Sequence, residues 1–265
     1  MKKVVLCLSL ILMIFSNAQC KDRKGEAGKG EYNNKYTILL TGASFASSNN
    51  GWFELACKQL NAKPINTAIG GTAISDAANR MAKGELYTQE ELEDIDAFVI
   101  MHVHDENVAD TAGLKQNYKD YPVPFDRSNY AAAYDYVIKR YITECYNLKF
   151  DKDSKYYGTE NGKPVVIVMC THWHDARTIF NPAIRKLGER WGFPIVEFDK
   201  YTGFSRNHLH PVTGKQYSIL YAHNNETING EEFGWHPDEG QDKYIQQRMA
   251  AIFAELMEKV LPLKP

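Results

Sequence analysis

Ser44 in TILLTGASFAS and His236 in WHPDEG are the residues of this chain best suited to do chemistry together. A serine hydroxyl is a poor nucleophile until an imidazole takes its proton, so the two side chains would have to meet for either to matter. Thr37 to Leu40 is apolar and β-favouring, Gly42 interrupts it, and a helical pattern resumes at Trp52. Ser44 is therefore expected just past the carboxyl end of a first strand, where ligands bind in open α/β sheets. In INTAIGGTAISD, Gly70 and Gly71 carry no side chains and could turn backbone N–H groups toward a ligand. IDAFVIMHVHDEN reads as a buried strand that releases polar side chains at its end, and His236 is expected to open the C-terminal helix that contains YIQQRMAAIFAELMEKVL.

Histidines offer a second kind of chemistry. Six of the eight form His-x-His pairs: His102 with His104, His172 with His174, and His208 with His210. Alternate residues of an extended segment point to one side, so each pair could present two imidazoles to a metal ion, with Asp105, Asp175 or Asp199 nearby. A metal-dependent hydrolase or metal-binding protein using His102, His104, His172 and His174 is the alternative reading, and a non-catalytic carbohydrate-binding protein is a third. The spacings match no specific metal signature, and the metal reading leaves the Ser44 and His236 segments unused.

The elements that must position these residues alternate. Strands are predicted at 37–41, 64–68, 96–102, 164–171 and 194–198, and helices at 52–60, 74–82, 129–147, 181–191 and 239–260. Such βαβ alternation predicts a parallel sheet with helices on both faces, and VVIVMC is apolar enough for a central strand. Two insertions, Asp105 to Arg127 and Thr202 to Glu232, leave strand ends and are expected to overhang the site. Their aromatic residues, with Trp173 and Trp235, would suit stacking on sugar rings or acyl groups, or would form a miniature core of the loops themselves.

The order of these blocks resembles the SGNH hydrolase superfamily, also called GDSL-type esterases and lipases, from about Tyr36 onward. The resemblance implies a three-layer α/β/α flavodoxin-like fold with a central, mostly parallel five-stranded sheet. It implies Ser44 as nucleophile, although the block reads Gly42-Ala43-Ser44 instead of Gly-Asp-Ser, and His236 as base. The N–H groups of Ser44 and Gly71 would form the oxyanion hole, joined by His104, or by Asn107 if the turn is longer, where the superfamily has an asparagine. Its Asp-x-x-His pattern meets Phe233 here, so orientation of His236 would fall to Glu231, Glu232, Asp238 or a backbone carbonyl, the last as a Ser-His dyad. His102, His172, His174 and Trp235 would line or support the pocket. The activity implied is carboxylic ester hydrolysis, here carbohydrate O-deacylation through an acyl-serine, with no cofactor and a small-molecule or polysaccharide ester as partner.

Composition agrees. With 265 residues, 44% hydrophobic and 24% charged, the chain can bury one sizeable core. A net charge of −2 offers no footprint for nucleic acid. Lys2 and Lys3, the apolar run Val4 to Phe15 and Ser16-Asn17-Ala18 read as a signal peptide over residues 1–18, cleaved near Ala18. Residues 19–35 then form a flexible leader and 36–265 the hydrolase-like domain. A secreted or periplasmic location follows, with a lipid anchor on Cys20 as the minor alternative and no membrane insertion of the mature chain. Cys57, Cys145 and Cys170 make no disulfide framework, though a Cys57–Cys145 bridge is conceivable in an oxidising compartment.

Overall fold

The computed structural model describes residues 34–46, 51–204 and 208–264. The expected signal peptide, Cys20 and nearly all of the leader lie outside them. Five parallel strands form the central sheet: β1 (Tyr36–Gly42), β2 (Ala62–Asn66), β3 (Ala97–Met101), β4 (Ile167–Cys170) and β5 (Ile195–Val196), in the order β2-β1-β3-β4-β5. Every pairing is parallel, as the apolar strands predict: β3 and β4 are buried along their whole length because helices cover both faces.

One layer packs α1 (Trp52–Gln59) against α7 (Tyr244–Val260), and the other packs α2 (Ile74–Ala82) against α4 (Tyr130–Asn147). Helix α5 (Phe180–Trp191) ends at Gly192 in the left-handed region, a position favourable to glycine. Short helices α3 (Gln89–Asp94) and α6 (Phe198–Tyr201) were not expected; α3 begins with a capping box from Thr88 and Glu91. Cys57 on α1 and Cys145 on α4 belong to different layers, so the conceivable bridge is absent and both thiols are buried and unbridged.

A second unexpected element is a hairpin within the second insertion, β6 (Asn225–Ile228) with β7 (Glu231–Gly234). Asn229 and Gly230 both have positive φ, 52° and 84°, the backbone that a two-residue hairpin turn of matching twist requires. Its antiparallel register continues past the strands: Trp235 donates to the Asn224 carbonyl at 2.7 Å, His223 to the His236 carbonyl at 3.2 Å, and Ala222 bridges Pro237. Helix α7 starts only at Tyr244, so His236 lies on an irregular segment before the helix and not at its opening. No helix among the described residues is long and apolar enough to cross a membrane.

Candidate active site

Ser44 occupies a tight turn off the end of β1, and the local sequence explains the turn. A Cβ on Gly42 would stand 2.8 Å from the Met101 carbonyl and 2.7 Å from the Ala46 Cβ, so only glycine lets the chain bend this close to β3. The Ala46 N–H closes the turn on the Ala43 carbonyl at 3.0 Å, and the Trp52 indole N–H holds the Phe45 carbonyl at 3.0 Å. The Asn66 side chain donates to the Ala46 carbonyl at 3.0 Å and to Glu54 at 2.9 Å, tying this turn to the end of β2.

Across the turn, His236 Nε2 lies 2.8 Å from Ser44 Oγ. The other face of the imidazole meets a residue that the sequence reading did not include. Asn224 Oδ1 accepts from the His236 backbone N–H at 2.9 Å and lies 3.0 Å from His236 Nδ1. A backbone N–H can only donate, so the atom of Asn224 that faces the histidine is its oxygen, and the proton of the neutral ring belongs on Nδ1. That tautomer leaves the Nε2 lone pair for the serine hydroxyl. Burial and the stacked His223 ring, 5.5 Å away, hold His236 below the usual imidazole pKa, with Glu239 opposing them.

None of the orienting groups expected from the sequence does this work. Phe233, at the usual aspartate position, is 2% exposed and stacks on His174 in the core, while Glu231 and Glu232 are exposed on β7. Asp238 instead uses its backbone, its N–H on the Tyr221 carbonyl and its carbonyl accepting from Gln246. The backbone carbonyl expected to support a Ser-His dyad is not at Nδ1 either; the Asn224 side chain stands there and sets Ser44, His236 and Asn224 in a row.

Facing Ser44, the stretch from Ile69 to Ala73 can be accounted for bond by bond. Ile69 donates to the Gly42 carbonyl, Thr72 to the Ile69 carbonyl and Ala73 to the Asp76 carboxylate. Gly70 and Gly71 are left as the two N–H groups of this stretch with no acceptor among the described residues, and the Gly70 Cβ position is 3.8 Å from Ser44 Cβ. Gly71 has φ +75°, a conformation natural to glycine. A cavity of about 390 Å³ opens here, lined by Ser44 and His236, by Gly71, Thr72 and Ala73, and by His104, Arg127, Tyr130 and Trp235.

His104 thus stands on the cavity, whereas Asn107 lies exposed on a short 3-10 turn outside its lining and does not fill the alternative oxyanion role. Burial, then Arg127 and Arg177, lower the His104 pKa and favour a neutral ring. Its Nδ1 is buried without a hydrogen-bond partner among the described residues. Phe45, beside the serine, is an anchor the sequence reading missed: its ring packs 4.4 Å from His172, 4.9 Å from Trp235 and 5.2 Å from His236.

The remaining histidines do not line this cavity, and of the predicted pocket histidines His172 and His174 pack behind it. His174 Nε2 lies 2.7 Å from the Gly234 carbonyl and its Nδ1 accepts the Ala176 N–H at 3.1 Å, which docks β7 against the end of β4. His172 Nδ1 accepts the His174 N–H at 3.2 Å. Burial drives the His174 pKa down to about 4, His102 to about 3, and His172 well below its ordinary value. His210 Nδ1 is taken by the Val212 and Thr213 N–H groups on a separate loop. The metal alternative is not assembled: among the described residues no three of His, Cys, Asp and Glu gather to hold a metal ion. The insertion aromatics divide as well. Tyr118, Tyr121 and Phe125 pack on Tyr136 of α4 as a miniature core, and Trp173 is fully buried with its N–H on the Trp235 carbonyl. Only Trp235 of these aromatics faces the cavity.

A family model described as "Domain of unknown function (DUF5040)" matches residues 35–261. No curated protein matches the sequence. Among solved structures the chain is similar to LAE5, an alpha/beta hydrolase enzyme from the metagenome of Lake Arreo, Spain, at 14% identity and TM-score 0.46, covering 86% of this chain and 98% of that one. A member of the lipolytic protein G-D-S-L family from Veillonella parvula is similar at 9% identity and TM-score 0.44, covering 85% and 100%. An active site mutant of a family two carbohydrate esterase from Clostridium thermocellum is similar at 12% identity and TM-score 0.45, covering 85% and 64%.

Proposed function

The chain belongs to the Domain of unknown function (DUF5040) family, and from its site we propose that it is a serine ester hydrolase working through an acyl-serine intermediate. The observation that carries this reading is the 2.8 Å approach of His236 Nε2 to Ser44 Oγ, with Asn224 holding the tautomer that makes Nε2 the base. Ser44 Oγ attacks the ester carbonyl as its proton passes to Nε2. Negative charge then gathers on the carbonyl oxygen, within reach of the Ser44 and Gly71 N–H groups and of a neutral His104 ring that donates in place of an asparagine amide. The imidazolium returns its proton to the departing alcohol. Water repeats the sequence on the acyl-serine, with His236 again as base. A single oxyanion donor is worth about 3 kcal/mol of transition-state stabilisation in serine proteases, so a substitute at the third position is worth retaining.

The substrate we propose is an acylated carbohydrate. A cavity of about 390 Å³ is large enough for a sugar unit, and it sets the Trp235 and Tyr130 rings beside the Thr72 hydroxyl and the His104 ring. Such a mixture suits a sugar ring, which has an apolar face and a polar edge, better than a lipid chain. The signal-like residues 1–18 support export to the periplasm or beyond, with cleavage near Ala18. The test is hydrolysis of short-chain p-nitrophenyl esters and acetylated xylan by the purified protein beside Ser44→Ala, each with and without a chelator. Turnover that persists in the chelator and disappears in Ser44→Ala is expected. Turnover retained by the variant would end the serine mechanism.

A further inference from the structure

The stretch that carries Gly70 and Gly71 has two glycines and little of its own to keep it in one conformation. It is held at its ends. On one side the Thr72 hydroxyl donates to the Ile69 carbonyl at 2.7 Å and lies 3.3 Å from the Gly42 carbonyl. On the other side Arg127, the last residue of the first insertion, donates from Nη2 to the Gly71 carbonyl at 2.7 Å and to Asp76 Oδ2 at 2.8 Å. Asp76 Oδ2 also accepts the Ala73 N–H at 2.8 Å, which caps α2 where Ala73 has no side-chain acceptor of its own. Arg127 and Asp76 therefore close a ring of bonds around residues 71 to 76.

We propose that Arg127 and Asp76 are positioning residues for ester hydrolysis, clamping the Gly71 carbonyl so that the Gly71 N–H group stays aimed at the oxygen that becomes negative in the transition state. This inference rests on the serine-hydrolase reading above. The physical reason is that the Gly71 N–H belongs to the Gly70–Gly71 peptide, which turns by rotation at the two glycines on either side of it, and glycine resists such rotation less than any other residue. The Thr72 bonds to the Ile69 carbonyl hold the peptide before it and the Arg127 bond to the Gly71 carbonyl holds the peptide after it, so the donor between them is fixed from both sides. Arg127 is suited to the task because one planar guanidinium reaches both the carbonyl and the carboxylate, which a lysine ammonium on a flexible stem does with less geometric constraint. Arg127 is 56% exposed, so its bond to Asp76 adds little to stability, and its effect is expected to be on rate.

The experiment is a double-mutant cycle of Arg127→Gln, Asp76→Asn and the pair, with Arg127→Lys as the conservative variant. It is read by kcat and KM on a neutral p-nitrophenyl ester, and by affinity for a trifluoromethyl ketone, whose adduct with Ser44 carries the oxyanion. Thermal midpoints are recorded for every variant. Arg127→Gln and Asp76→Asn are each expected to lower kcat about 10-fold or more, with KM nearly unchanged and the ketone affinity falling by the same factor. The pair is expected to lose no more than the weaker single variant, and Arg127→Lys to recover part of kcat. Unchanged kcat, losses that multiply in the pair, or a loss confined to KM would overturn the clamp; the last would make Arg127 a substrate ligand instead. Absence of Ser44-dependent turnover in the unmutated protein would instead remove the hydrolase reading, and the clamp with it.

Discussion

Replacing Asn224 with alanine tests the catalytic arrangement where it is least expected. The substitution removes the acceptor of two hydrogen bonds, to the His236 N–H at 2.9 Å and to Nδ1 at 3.0 Å, and leaves Ser44 and His236 in place. A neutral hydrogen bond contributes about 0.5–1.5 kcal/mol net, and a bond to a charged group about 1.5–3 kcal/mol. The bond at Nδ1 becomes one of the second kind when the ring takes the serine proton, so it strengthens as the transition state forms, while the backbone bond does not. Asn224 is exposed, which places its contribution near the lower end. The expected loss in kcat/KM is roughly 1–2 kcal/mol, about 5- to 30-fold, far smaller than the loss in Ser44→Ala. The assay is initial-rate hydrolysis of a p-nitrophenyl ester across pH. Asn224→Asp is the matched variant: a carboxylate near Nδ1 favours the imidazolium, so the acid limb of kcat/KM should move to higher pH. An Asn224→Ala enzyme within twofold of the unmutated protein, with the same pH profile, would refute this role.

Further outcomes are expected from the same geometry. Because burial and His223 hold His236 below the usual imidazole range, the acid limb of kcat/KM in the unmutated enzyme should lie below pH 6.5, where the base is still neutral; a pH–rate profile checks it. Phe233→Asp restores the usual aspartate spacing, but it puts a carboxylate at a site 2% exposed and removes a core ring, so it should lower stability by more than about 3 kcal/mol without raising activity, as urea unfolding would reveal. Buried His102 stays neutral in the folded chain down to about pH 3, while the unfolded chain protonates it near 6.5. Stability linked to it is therefore full above 6.5 and lost as pH falls from 6.5 toward 3, and His102→Met should flatten the dependence of the thermal midpoint on pH over that window. Gly230→Ala places a side chain at φ 84° in the hairpin turn and should loosen the segment that carries Asn224, lowering activity and thermal midpoint together.

Much of the architecture was legible in the chain because local pattern and burial agree there. Strands β1, β3 and β4 are apolar runs bounded by turns, and a strand buried on both faces leaves that mark whatever its neighbours are. The predicted helix 74–82 coincides with α2, and the helix predicted at 129–147 begins one residue later, at Tyr130, behind an Asn129 cap that accepts the Ala132 N–H. Short α3 and the β6–β7 hairpin escaped because their apolar periodicity is weak. A signal for the hairpin was nonetheless present: Asn229-Gly230 favours a two-residue turn, and the register of that turn sets 224 opposite 235 and 223 opposite 236.

For the site, residue types and block order marked Ser44, Gly71, His104 and His236, because a nucleophile, a bare backbone donor and a base each demand a narrow choice of residue. Sequence could not decide what faces the far side of the imidazole. That position is filled across a hairpin and not from a fixed offset along the chain, so Phe233, Glu231 and Glu232 were plausible by distance in sequence but turn elsewhere. Nor could it tell pocket histidines from buried ones, since His102 and His104 differ by one alternation at a strand end, yet one lies in the core and the other on the cavity. The sequence determined the layers through local pattern and singled out Ser44 and His236, which the fold brings within 2.8 Å of each other. The tertiary structure alone decided that Asn224 faces His236 and that Arg127 reaches Asp76 and the Gly71 carbonyl, because each contact joins an insertion to a segment outside it and depends on how the loops pack over the sheet.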